Sequence, residues 1–348
     1  MSKVTTYLLV YGLSHALVDA SCIILLLGGI DVREELLTYI LIYNILAFGL
    51  QLPFGIIIDR MHQPVLSAVL GCIVLSLGIM LFLHPPISVI LAGIGNALFH
   101  VGGGSVSLNL NRGKAALPGV FVAPGGIGLF AGGIVLKLFG FHPGICVAFL
   151  LTMGLIIYMI KSPTILYETK GAMPVNYLTL IIVLLLITVC IRSLVGLSVN
   201  FQWKSDTALL IALTAGIAFG KALGGFLADY FGWIKITISG LTLSALLLFF
   251  GSQVPVVAII GMFLFNLTMP VCLVAISNLL PGRPGFSFGL TTFAMIAGAL
   301  PSFSSFKSFF SGSSVILVMI LLSTIILFKG LKLYYQNQLS NESKIMKS

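Results

Sequence analysis

Apolar residues run along this chain in stretches of about 20, the length an α-helix needs to cross the hydrocarbon of a bilayer, and short polar clusters separate them. The stretches fall near residues 5–29, 37–58, 65–83, 87–110, 115–138, 142–160, 177–200, 207–228, 234–252, 254–280, 285–306 and 311–331, so the pattern predicts twelve spanning helices. The longest interruption is Lys161-Ser-Pro-Thr-Ile-Leu-Tyr-Glu-Thr-Lys-Gly-Ala-Met-Pro174, with six stretches on either side. The expected architecture is all-α, two pseudo-symmetric six-helix bundles. Residues 1–160 form the N-terminal bundle, 161–176 a cytoplasmic linker, 177–334 the C-terminal bundle and 335–348 a cytoplasmic tail.

A repeat at an offset of 170 residues supports two related halves. Gly55-Ile-Ile-Ile-Asp59 returns as Gly225-Phe-Leu-Ala-Asp229, and the same offset carries Gly119 onto Gly289, Gly128 onto Gly298 and the polar Gln51 onto Lys221. Duplicated halves are a transporter arrangement. In the repeated step, glycine lets two helices approach closely. The Asp at the helix end either accepts hydrogen bonds from a neighbouring helix N-terminus or pairs with Arg60. Such a contact is a latch that holds one access state; the alternative is an ordinary polar helix end.

Composition narrows the class. Hydrophobic residues make up 59% and charged residues 8%, against about 25% charged in a soluble globular domain. With the N-terminus placed in the cytoplasm, the cytoplasmic Lys and Arg are Lys3, Arg60, Arg112, Lys114, Lys161, Lys170, Lys235, Arg283, Lys329, Lys332, Lys344 and Lys347. Only Arg33, Lys137, Lys204 and Lys307 face outward, while Arg192 and Lys221 lie inside helices. That bias predicts both termini inside. The net charge of +9 then reports orientation and contact with an anionic leaflet, and no basic patch interleaved with exposed aromatics points to nucleic acid. Cys22, Cys72, Cys146, Cys190 and Cys272 all sit in apolar stretches without CxxC spacing, as buried packing residues do. The first stretch is too long for the apolar core of a cleavable signal.

Polar side chains inside the apolar stretches carry the candidate chemistry. An ionisable group at the centre of a spanning helix costs about 2.5–3.5 kcal/mol on insertion scales. Tyr11, His15, Asp19 and Cys22 follow one another at steps of four, four and three, drawing a stripe along one helix face. The fourth stretch carries Asn96, His100, Gly104 and Ser107 at similar steps, and the seventh carries Thr188, Arg192, Gly196 and Asn200. His15, Asp19, His100 and Arg192 all count to mid-membrane. Either histidine taken alone could be a satisfied packing residue. A static ion pair for Asp19 or Arg192 contributes little once desolvation is counted. Lys221, roughly 12 Å from the helix end at 1.5 Å per residue, either snorkels to the interface or lines a cavity. Alternating exposure of Asp19 would load and unload a proton with His15 as relay, since histidine titrates near neutrality. Arg192 is suited to holding an anionic group of the solute or, in the empty state, to pairing with Asp19. The substrate set is therefore Tyr11, Gln51, Asn96, His100, Arg192, Asn200 and Lys221, which favours an anionic or zwitterionic solute. Gly102-Gly103-Gly104, Pro124-Gly125-Gly126, Pro270 and Pro301 are candidate hinges, although small residues also serve close packing.

Gly55 to Asp59-Arg60-Met-His62 and Gly225 to Asp229-Tyr-Phe-Gly232-Trp-Ile-Lys235 resemble the loop signature of the major facilitator superfamily, once per half. Ser14-His15 through Asp19, Gly95-Asn-Ala-Leu-Phe99-His100 and Gly125-Gly-Ile-Gly128-Leu-Phe-Ala-Gly132 further resemble its fosmidomycin-resistance-type exporter branch. The chain departs from that branch at Val18, where Asn is usual, at Val101, where Pro is usual, and at Gly133 in place of the Pro of an exporter Gly-Pro. The resemblance implies two bundles with a central cavity and alternating access, with Gly55, Asp59, Arg60, Gly225 and Asp229 as gating motif.

The expected function is secondary active transport of a small organic solute coupled to protons, export favoured, by a monomer in a bacterial-type inner membrane. An uptake symporter and a non-transporting sensor or scaffold are the alternatives. No HExxH, GxSxG or Walker loop is present, so no enzyme activity, cofactor or metal is expected, and the partners are solute, protons and lipid.

Overall fold

The computed structural model describes residues 3–30, 34–160, 163, 165–167 and 176–345, with side chains through residue 338. Expectations about Arg33, Lys161, Lys170, Lys347, the Lys344 side chain and most of the linker fall outside the described residues.

All regular structure among the described residues is helical. The spans are α1 (Lys3–Gly29), α2 (Leu36–Met61), α3 (Pro64–Met80), α4 (Pro85–Leu110), α5 (Ala116–Phe139), α6 (Pro143–Met159), α7 (Leu178–Ser198), α8 (Thr207–Phe231), α9 (Trp233–Gly251), α10 (Pro255–Leu279), α11 (Pro284–Phe303) and α12 (Ser313–Gln338). Ten are long and apolar enough to cross a membrane, and α3 and α6 are shorter apolar helices of 17 residues, at the lower end of the roughly 17–25 that spanning needs. Each coincides with one of the twelve predicted stretches. The chain is an all-α, multi-pass membrane protein.

Proline sets several helix starts and breaks. It opens α3, α4, α6 and α10 at the first turn, where its missing N–H is no loss. Inside a span it removes the bond to the carbonyl four residues earlier. Pro53 therefore divides α2 at Leu50, into Leu36–Gly49 and Gln51–Met61, and Pro270 divides α10 between Asn266 and Met269. Pro124 sits within α5 without breaking it. The Gly102-Gly103-Gly104 run, a candidate hinge by sequence, also lies in unbroken helix. Packing explains it: a Cβ at Gly102 would meet the Pro64 carbonyl, at Gly103 the Phe121 ring and at Gly104 the Phe288 ring.

The chain divides into two compact units that are discontinuous in sequence. The first comprises Met1–Arg112, Val120–Leu166 and Arg283–Ile296. In it, α3 and α4 meet along glycines seven residues apart. Gly71 lies against the Phe99 amide and Gly78 against Ser88 and Ala92, while Gly95 returns the contact to Leu75. Gly128 and Gly132 of α5 press on the α1 backbone at Ala16 and Ala20. The second unit comprises Gly113–Gly119, Tyr167–Gly282 and Ala297–Ser348. There Gly220 and Gly224 of α8 approach the α10 carbonyls of Phe263 and Leu267, and Gly298 of α11 approaches Cys190 of α7.

Candidate functional site

The α1 stripe faces inward: Tyr11, His15, Asp19 and Cys22 are all buried. Its centre is a cluster of two imidazoles and a carboxylate. His15 Nε2 lies 3.3 Å from Asp19 Oδ2, and His100 Nε2 of α4 lies 3.6 Å from Asp19 Oδ1. The two Nε2 atoms are 2.8 Å apart, with the rings edge-on at 89°. Asn96, one turn before His100, donates to Asp19 Oδ1 at 3.1 Å and reaches Cys22 Sγ at 3.7 Å. The far ring nitrogens are anchored on backbone: His15 Nδ1 lies 2.7 Å from the Phe121 carbonyl of α5, and His100 Nδ1 lies 2.9 Å from that of Asn96.

Helix packing produces this arrangement. The steps of four on α1 and α4 put each pair of polar residues on one face, and Gly128 and Gly132 bring α5 close enough for the Phe121 carbonyl to reach His15. Gly125 completes the fit, because a Cβ there would strike His15 Nε2 and, at 2.6 Å, Asp19 Oδ2. The rings of Phe99 and Phe121 flank His15. A low-dielectric wall of that kind strengthens every charge interaction inside it. Sequence reading anticipates no metal, and in the structure His15, Asp19 and His100 place one ring or carboxylate heteroatom each within 4.8 Å of one another.

In the second unit, Arg192 of α7 is buried. Its guanidinium donates to the Phe265 carbonyl at 2.9 Å, sits 5.0 Å from the Phe265 ring centroid and adjoins the Cys272 thiol. Its Nε is a buried polar atom without a protein partner among the described residues, as is the Tyr11 hydroxyl in the first unit. The expected α7 stripe is shorter than its spacing suggests. Thr188 and Arg192 are buried, Gly196 is exposed, and the helix ends at Ser198, so Asn200 lies beyond it, exposed on non-helical backbone. Gln51 is buried and donates to the Ala47 carbonyl, while Lys221 is half-buried on α8.

The repeated Asp residues both cap helices. Asp59 accepts from the Gly285 and Phe286 amides at 2.8 and 2.7 Å, at the start of α11. Asp229 accepts from the Ala115 and Ala116 amides at 3.0 and 2.9 Å, at the start of α5, and from Trp233 Nε1 at 2.9 Å. The 170-residue offset carries every member of the first backbone contact onto the second, with roles reversed. The glycines follow: a Cβ at Gly55 would strike the Gly285 carbonyl, and one at Gly225 the Ala115 carbonyl. Of the two partners expected for Asp59, the helix N-terminus is the one hydrogen-bonded; Arg60 is exposed. Sequence reading missed the Phe121 and Phe265 carbonyls, because a backbone acceptor carries no residue signature.

No protein-family profile and no curated protein sequence matches the chain. Solved structures do. An asparagine-to-alanine variant of the E. coli fucose:proton symporter FucP superposes with a TM-score of 0.73 at 12% identity, covering 96% of this chain and 99% of that one. A second structure, of FucP as a major facilitator superfamily transporter in the outward conformation, gives 0.67 at 11% identity with the same coverage. The fold is the major facilitator fold. At such identity the likeness carries the architecture, twelve helices in two pseudo-symmetric six-helix bundles, and the function rests on this chain's own residues.

Proposed function

We propose that the protein is a secondary transporter that moves a small organic solute by alternating access and couples it to protons through Asp19 and His15. The observation that carries this reading is the buried His15–Asp19–His100 cluster on spanning helices. A group that changes protonation is costly in lipid and useful where its exposure alternates. A scaffold gains nothing from it. Arg192 is the partner we assign to an anionic group on the solute, because its Nε is unengaged and a planar guanidinium binds oxyanions in pairs. Tyr11, Asn96, His100, Gln51 and Lys221 complete the proposed solute set, and Asp59 and Asp229 with Gly55, Gly225 and Arg60 form the proposed latch. A monomer in a bacterial-type inner membrane with both termini cytoplasmic completes the reading.

Direction has two readings. The motifs at His15, Asp19, His100 and Gly125 to Gly132 resemble an exporter branch and favour export; the fold's likeness to a fucose:proton symporter favours uptake with the proton. Purified protein in proteoliposomes, offered candidate solutes under an imposed pH gradient with an internal pH dye, separates them. Solute and proton moving together means symport, and opposed movement means export by exchange. Facilitated flux without proton movement removes the coupling, and no flux for any solute that binds leaves the sensor reading standing.

A further inference from the structure

The two histidines constrain where a proton sits. Both Nδ1 atoms face backbone carbonyl oxygens, at 2.7 and 2.9 Å, and a carbonyl oxygen only accepts. Each Nδ1 therefore carries hydrogen. A neutral imidazole has one N–H, so two neutral rings would present bare lone pairs to each other from the two Nε2 atoms, 2.8 Å apart. That is repulsive, and something positive must lie between them.

We propose that His15 and His100 share one proton between their Nε2 atoms, with Asp19 as ionised counter-charge, so that the proton-loading site is the imidazole pair and His100 is a coupling residue. The assignment rests on the proton-coupled reading and names the atoms that hold the proton. Distance favours a proton over a metal ion: 2.8 Å is the length of a charge-assisted hydrogen bond, about 2.7–2.9 Å. Two nitrogens each about 2.0–2.1 Å from a tetrahedral zinc stand roughly 3.3 Å apart.

Charge balance points the same way. With both rings neutral and Asp19 ionised the cluster carries one negative charge; adding one proton to an Nε2 makes it neutral overall, with no bond broken elsewhere. Asn96 donates to Asp19 Oδ1, and a donor there stabilises the carboxylate. The remaining titratable neighbours among the described residues are Tyr43 of α2 and Cys22 of α1 beside Asp19, with Tyr7 and Tyr11 of α1, Cys72 of α3 and Cys146 of α6 in the next layer; α5 contributes Phe121 and Gly125. None of these is a cation, so the imidazolium is the charge that balances Asp19. The loaded cluster is the one that tolerates closure, since an unpaired buried carboxylate is strongly unfavourable. Unloading then requires water to reach it, which links proton release to a change of access.

Solid-state nitrogen NMR on the full-length protein in lipid nanodiscs, labelled at histidine nitrogens, tests this. The other three histidines, His62, His84 and His142, are exposed and are assigned by titration. The expected result near neutral pH is one imidazolium signature with a through-hydrogen-bond coupling between two Nε2 atoms. It should vanish in His15→Gln and in His100→Gln, and the proton should leave the pair in Asp19→Asn. The wild-type spectrum suffices if a variant fails to fold. Two neutral rings beside a protonated Asp19 carboxyl, seen by its carbon shift, would overturn the shared proton while leaving proton coupling intact. So would stoichiometric Zn2+ binding, measured calorimetrically, that all three substitutions abolish. Absence of proton-linked flux in the liposomes with the shared proton present would sink the transport reading alone.

Discussion

At the level of single residues, the burial of Asp19 among His15, His100 and Asn96 makes it a group whose charge matters more than its shape. Asp19→Asn keeps the shape and removes the charge. It is expected to abolish gradient-driven accumulation, because without the counter-charge the imidazole pair no longer holds its proton, while leaving exchange of labelled for unlabelled solute at least partly intact, because the cluster is then neutral overall. Equal accumulation by wild type and variant at matched membrane abundance would take Asp19 out of the coupling step. Arg192 makes a different case, since its guanidinium already spends one nitrogen on the Phe265 carbonyl. Arg192→Lys keeps the charge without the planar fork and should weaken solute binding about tenfold, or roughly 1.4 kcal/mol. Arg192→Ala removes the charge and should cost roughly 2–5 kcal/mol if a solute oxyanion loses its buried partner. Binding isotherms on purified variants decide this, and wild-type affinity for Arg192→Ala would end both the assignment and the preference for anions.

At the level of helices, the two Asp caps are the same device built twice. Each carboxylate closes two of the amides that a helix N-terminus leaves open and meets the positive end of its dipole. Asp59→Asn and Asp229→Asn should each lower stability by about 0.5–2 kcal/mol, the usual worth of such a cap. The two share no partner and belong to different units, so the losses should add. Thermal unfolding of both single variants and the double variant measures it; a double-variant loss well short of the sum would mean that the caps are coupled. Gly55→Ala and Gly225→Ala should weaken the same contacts more severely, because the new methyl meets backbone that cannot rotate away. Faster labelling of a cysteine placed beside each cap would show release of the latch, and unchanged labelling would leave Asp59 and Asp229 as structural caps only.

At the scale of the whole molecule, the spans were legible because lipid imposes a length: each of the twelve stretches recurs as a helix. The duplication was legible from two Gly-to-Asp steps, and its contacts obey the same 170-residue offset. The α1 cluster was legible in part, since the steps from Tyr11 to Cys22 place His15 beside Asp19. Sequence alone could not show that His100 and Asn96 of the fourth stretch meet Asp19, because helix pairing is set by close glycine contacts such as Gly128 with Ala16. The breaks at Leu50 and Leu267 are tertiary tolerances of Pro53 and Pro270, whereas Pro124 passes through an intact α5, so proline alone does not locate a hinge. The Asn200 position was misread because periodicity continues on paper after the helix stops at Ser198.

Orientation is the property of the whole molecule that the fold leaves open and the charges address. Twelve of the eighteen Lys and Arg fall on one predicted side, and positive residues in short loops are retained in the cytoplasm. The turn between α4 and α5, with Arg112 and Lys114, should therefore face the cytoplasm. The segment between α7 and α8, with Lys204, should face outward, although that lysine is half-buried: Nζ donates to the Val199 carbonyl at 3.1 Å and lies over the Phe201 ring. Its burial and the nearby Lys307 charge hold its pKa below the ordinary value, whereas Arg112 is exposed. Cysteines placed at Lys114 and at Ser205, in a background whose five native cysteines are replaced, should react with a membrane-impermeant maleimide in opposite settings. Ser205→Cys should label in intact cells, and Lys114→Cys only in inverted vesicles. The reverse pattern would invert the molecule in the membrane and with it every assignment of a cytoplasmic latch at Asp59 and Asp229.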